Sequence, residues 1–251
     1  MKLFKTVAII IIITLSFWAC NNEEKLDVKH EESEIIKNSS QNPFQNYGRA
    51  HNALMEMIMS SAINELSEDS NIDEILHYVS NEVRNIMNND DFLLEYNIES
   101  NNEALNIILN EYESNSSLFG IEGCKGCIDF EKLILMLPTF PEYEDIFFTI
   151  LNSNDPEDAI SKLNILEKGT LLTEDSDVKD GRLFIISIGK NSIELADRHM
   201  QNGTIACCNW REVGASDCGG ALAGVGAVGV GAFGGAALFS GTALIGQLFG
   251  W

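Results

Sequence analysis

The chain has 251 residues, enough for one domain with a sizeable core and a little more. Its 38 acidic residues against 16 basic ones give a formal net charge of −22, which argues against nucleic-acid binding because nothing offsets phosphate repulsion. The acids are spread along the chain and read as solvated surface.

The first element is a targeting segment. Lys2 and Lys5 precede a short apolar run, Val7–Leu15, and small Ala19 stands just before Cys20. The run is too short for a spanning helix and has the layout of a signal peptide. Ala19-Cys20 resembles a bacterial lipobox. The resemblance implies cleavage before Cys20, a covalent lipid on its thiol and an outer-membrane-anchored place in the cell envelope. Asn21-Asn22-Glu23-Glu24 resembles the acidic signal that sends such lipoproteins to the cell surface. Residues 1–19 are therefore expected to be a signal peptide, and 20–41 a lipidated Cys followed by a polar, acidic, flexible tether.

Residues 42–210 are expected to form an acidic helical domain. Tyr47, Ala50, Leu54, Met57, Ile58 and Ile63 recur at helical spacing, predicting a helix over 46–66. A second is predicted over 72–87, capped by Ser70 with Asp73 three residues on, and a third over 101–112 behind a Ser100/Glu103 capping pattern. Residues 128–137 form a fourth that must stop before Pro138, and Pro141 starts a fifth through Leu151. Asp155-Pro156-Glu157 is a strong helix start, with Gly169 as its stop. Asp180-Gly181 reads as a turn or a helix start. Leu183–Ile188 is rich enough in β-formers for a strand, but helical spacing through Ile193, Ala196 and Met200 favours a helix. No hairpin signal occurs elsewhere, so the fold class is all-α.

Residues 211–251 form a Gly/Ala-rich hydrophobic segment with no charge after Asp217. At about 1.5 Å per residue, a helix from Gly219 to Leu238 would cross a hydrocarbon layer of roughly 30 Å. Gly219, Ala223, Ala227, Gly231 and Gly235 recur every four residues and would make one stripe for close helix pairing, hence a homo-oligomer or a membrane assembly. Eight glycines between Gly219 and Gly235, each costing about 1 kcal/mol relative to alanine, mean that something must pack on this helix. The candidates are a bilayer with further copies of the chain, or the chain's own domain, with the tail as a buried hairpin closed near Ser240-Gly241.

If Cys20 is lipidated, Cys124, Cys127, Cys207, Cys208 and Cys218 remain as candidates for disulfides or a metal. An envelope location permits disulfides, and an odd number leaves at least one thiol over. Cys124-Lys125-Gly126-Cys127 is a CxxC ahead of a helix, but a redox role needs a βαβ setting that the pattern lacks. A zinc site is disfavoured because the second cysteine group has no CxxC spacing. No cofactor other than the lipid is expected. His30, His51, His77 and His199 show no metal-binding spacing, and His51 beside Asn52 reads as structural. The acid pairs Asp90-Asp91 and Glu142–Glu144 read as surface charge. No catalytic motif is present, and a non-enzymatic protein with no identifiable ligand is expected.

Asn42-Pro43-Phe44, Gly48 and His51-Asn52, with Trp210, Gly214 and the Gly/Ala-rich end, together resemble uncharacterised Bacteroidetes-type envelope lipoproteins with a helical middle. The tail by itself is similar to glycine-zipper segments of outer-membrane lipoproteins and of small membrane-active bacteriocins. Three functions follow as expectations: an envelope lipoprotein whose tail associates with membrane or with itself, a membrane-damaging toxin, and a soluble helical binding module with the tail as core.

Overall fold

The computed structural model describes residues 41–99, 101–121, 124–136, 140–174, 176–203, 209–224 and 230–249. All of them but Gln41 belong to the unit Asn42–Trp251. The signal peptide, Cys20 and the tether as far as residue 40 lie outside them.

The fold is all-α. In chain order the helices are α1 (Gln45–Glu65), α2 (Ile72–Met87), α3 (Asp90–Tyr96), α4 (Asn102–Glu113), α5 (Phe130–Met136), α6 (Glu144–Leu151), α7 (Pro156–Leu171), α8 (Asp177–Gln201), α9 (Trp210–Ala223) and α10 (Val230–Leu248). Local chemistry sets most of the starts. Asn71 closes a reciprocal capping box with Glu74 at α2, Asn101 caps α4, and Asp155 caps α7 ahead of Pro156. In the first two cases an asparagine next to the helix takes the place of the serine one residue upstream.

Several boundaries differ from the sequence reading. Asp90-Asp91 open a helix, α3, with Asn89 accepting from the Asp91 and Phe92 amides; their charge favours the helix N-terminus. Gly169 lies inside α7, which ends at Leu171. Asp180-Gly181 lies inside α8, whose start is capped by Ser176. Between α4 and α5 a small antiparallel hairpin forms, β1 (Phe119–Ile121) with β2 (Cys124–Ile128), and Phe119 pairs with Ile128. The helix expected from 128 therefore starts at Phe130. β2 carries the CxxC, and this two-stranded antiparallel sheet supplies no βαβ setting.

The largest difference is in the tail. No single helix runs from Gly219 to Leu238. α9 ends at Ala223 with a turn at Gly224, and α10 runs from Val230. Ser240 and Gly241 do not close a turn; both are buried inside α10. α9 and α10 pack directly on each other. Around α10 lie α1, α2, α4 and β2, while α8 and α6 cover the other sides of α9, and α7 backs α8. One hydrophobic cluster runs through the domain and the tail alike, from Leu54 and Ile75 through Phe184 to Phe233, Phe239 and Ile245. Fully buried Phe233, Phe239, Leu244 and Ile245 make α10 the centre of that core.

The N-terminal edge is fastened at Asn42. Its buried amide donates to Glu167 Oε1 and to the Leu183 carbonyl, each at 2.8 Å, and Lys190 Nζ lies 2.9 Å from Glu167 Oε2. The turn at Asn42-Pro43-Phe44 is thus tied to α7 and α8. Gly169 offers a contrast with the crowded glycines of the hairpin, because a methyl group there meets nothing within 4 Å. Gly169→Ala is expected to raise stability by about 0.5–1 kcal/mol through helix propensity, seen as a higher urea midpoint; a drop would mean that α7 is not helical at this point.

Candidate functional site

The hairpin has two notable features: its glycine contact and a polar cluster sealed beside it. The contact is made where α9 crosses α10. A methyl group on Gly220 would fall on the carbonyl oxygen of Gly235, and one on Gly235 would fall on the carbonyl oxygen of Gly220. Gly224 meets Gly231 and Ala232 in the same way. Backbone lies on backbone, which only residues without a side chain permit.

The expected stripe is divided by this arrangement. Gly231 and Gly235 face α9, but Gly219 faces the other way, where an added methyl would stand 2.5 Å from Leu133 Cδ2 and 3.9 Å from Phe147. Ala223 is half-buried at the end of α9, and Ala227 lies outside the described residues. The partners of Gly231 and Gly235 are Gly224 and Gly220, which the sequence reading did not select. Their own four-residue spacing is the signal, and it is visible only once the chain is known to fold back.

The polar cluster gathers four helices. His51 projects from α1 and Asp217 from α9, with Nε2 and Oδ2 3.8 Å apart and both side chains fully buried. Ser192 of α8 and Ser240 of α10 stand against the Asp217 carboxyl and draw its pKa down, but burial outweighs them and pushes it up to about 8. Burial pushes His51 down to about 4, against small opposing pulls from Asn52 and the Ala236 carbonyl. The Phe233 ring lies edge-on to the imidazole at 6.3 Å between centroids. Neither imidazole nitrogen and neither carboxyl oxygen closes a well-directed hydrogen bond, and the Ser216 and Ser240 hydroxyls are also unmatched. Each such atom costs about 1–3 kcal/mol, so the cluster is a weak point in an otherwise apolar core.

Sequence reasoning treated His51 as structural and used Asp217 only as the last charge in the chain. An isolated acid at the head of an uncharged Gly/Ala run was the available signal. A carboxyl, an imidazole and two hydroxyls could suggest nucleophilic chemistry, but a substrate cannot reach side chains with no exposed surface.

The cysteines are not brought together in any described way. Cys218 is a free, buried thiol 3.7 Å from the Ile185 carbonyl, and burial together with neighbouring Asp217 pushes its pKa well up. It therefore does not staple the approach to the tail, and such a thiol is inert. Cys124 and Cys127 lie on β2, while Cys20, Cys207 and Cys208 lie outside the described residues. Among the described residues no group of three or more His, Cys, Asp or Glu side chains could hold a metal ion. On the surface, an open groove of about 780 Å³ between α1, α2 and α3 is lined by Met57, Phe92 and Tyr96 and rimmed by Glu56, Glu82 and Glu95. Comparison with protein-family models, with curated proteins and with solved structures finds no match.

Proposed function

We propose that the protein is a non-enzymatic envelope lipoprotein, tethered through Cys20, that carries a membrane-directed helical hairpin sheathed in its own acidic helices. One observation supports the reading above the rest. Gly231–Leu248 is a helix long and apolar enough to cross a membrane, yet 94% of it is buried inside the domain. In this folded form the helix is unavailable to lipid or to another copy, since its glycine face is occupied by α9. Membrane action or self-assembly then requires the jacket to open. The small residues that pack α9 on α10 in the core suit the same pair in lipid, where close backbone approach replaces the hydrophobic drive. Damage to a membrane is one outcome of such insertion, and quiet anchoring is the other.

A second reading, a binding module whose tail is only its core, draws on the same burial, because the core helix of a soluble protein has the same length and composition. Liposomes separate the two. The chain from residue 20 with Cys20→Ala is mixed with zwitterionic vesicles at a urea concentration just below its unfolding midpoint, and the floated chain is then digested by a protease added outside the vesicles. A fragment containing Gly231–Leu248 is expected to be protected by the lipid while the preceding helices are cut. Failure to float, or digestion of Gly231–Leu248 along with the rest, would overturn the membrane reading. Release of a trapped dye would distinguish damage from anchoring.

A further inference from the structure

His51 and Asp217 meet where α1, α8, α9 and α10 converge, with no solvent-exposed surface on either side chain. Two proton arrangements are open to them. One is a neutral imidazole facing a protonated carboxyl, and the other is an imidazolium facing a carboxylate. Both hold one proton. A second proton would bury a net positive charge and the loss of both a net negative one, with no opposing charge to offset either.

The groups facing the pair bear this out. From α8 comes the Ser192 hydroxyl, itself donating to the Ile188 carbonyl at 2.9 Å, and from α10 the Ser240 hydroxyl and the Ala236 carbonyl. From α9 comes the Cys218 thiol, held neutral. α10 carries no ionisable residue. Arg49 and Glu56 of α1 and Glu194 and Arg198 of α8 are exposed, and Lys190 is paired with Glu167. The single-proton count thus follows from the geometry, whichever atom holds the proton.

We propose that closing the jacket over the hairpin takes up one proton at neutral pH, shared by His51 and Asp217, so that a rise in pH loosens the hairpin. The link to hairpin release rests on the membrane reading above, and the proton step itself does not. In the opened chain the carboxyl ionises near pH 3.9 and the imidazole loses its proton near pH 6.5. Between about pH 4 and 6.5, open and closed forms hold equal numbers of protons, so mild acid does not act through this pair. Above pH 6.5 the open form holds none, while the closed form keeps one until the raised Asp217 titrates near pH 8. Stability from the pair is therefore full between about pH 4 and 6.5 and is lost as pH rises towards 8.

The test is denaturant unfolding of the chain from residue 20 with Cys20→Ala, without lipid, at pH 6.5 and 7.5. Ordinary carboxyls are ionised in both states across this interval. The unfolding constant is expected to rise about fourfold, and Asp217→Asn is expected to abolish the rise. Should the variant not fold, calorimetric unfolding of the unsubstituted site near pH 7.3 in buffers of different ionisation enthalpy counts the proton directly, with about 0.7 released. A flat profile, a rise that persists in Asp217→Asn, or a release near zero would overturn the inference. Because no vesicle is involved, a chain that shows the proton step but never enters liposomes refutes only the membrane reading.

Discussion

Replacing Gly220 with alanine is expected to lower the stability of the domain by about 3–5 kcal/mol, at the upper end for a single methyl group. The reason is what the methyl would strike. In most cores an added carbon displaces the end of a flexible side chain, and the neighbours give way. At Gly220 it meets the carbonyl oxygen of Gly235 and the Cα of Ala236, which belong to the backbone of α10. α10 cannot retreat, because its other sides are held by α1, α2, α4 and β2. The urea midpoint should fall sharply with little change in slope. A midpoint within the equivalent of about 0.5 kcal/mol of the parent would mean that α9 and α10 do not touch here. Gly219→Ala should be milder, since the Leu133 side chain can rotate away.

The second large effect is expected from removing α10 altogether. A chain ending at Gly224 loses Phe233, Phe239, Leu244 and Ile245, each fully buried. At about 1.5–3 kcal/mol per side chain, that loss matches the entire stability of a typical domain. It also leaves the inner faces of α1, α2 and α4 facing a void, with Val79 and Leu105 on its wall. The truncated chain should show reduced helix content by circular dichroism and no cooperative transition. Cooperative unfolding at the parent midpoint would show that the jacket is a domain in its own right and that the hairpin is a guest. If the proposed membrane role holds, a jacket that cannot stand without its hairpin cannot re-close behind it.

The all-α class and most helices were legible in the sequence, because their apolar positions repeat at helical spacing and their starts carry caps. α2 was found with its bounds, and α7 with its cap at Asp155. α3 was missed because a seven-residue helix shows less than two turns of pattern, and Asp90-Asp91 looked like surface. The β-hairpin was missed because Gly126 and the cysteines carry no alternation. The fold-back of the tail was open as an alternative, but its position was not: in a run where nearly every residue is small, several stripes fit equally well, and only the third dimension selects Gly220 and Gly224 against Gly231 and Gly235. The His51–Asp217 pair was illegible for a related reason. The two residues lie far apart in the chain, and no spacing rule joins them.

Helix α10 follows every other described helix and is also the centre of the core, and this has a consequence for biosynthesis. Asn42 is fastened to Glu167 and Leu183, α1 lies on α8, and α1, α2 and α4 all wait for α10. Contacts of such long sequence separation form slowly, and the faces that α1, α2 and α4 turn towards α10 cannot be covered until α10 has been made. Until then the nascent polypeptide carries those apolar helix faces open. That delay places on chaperones the task of preventing aggregation until α10 arrives.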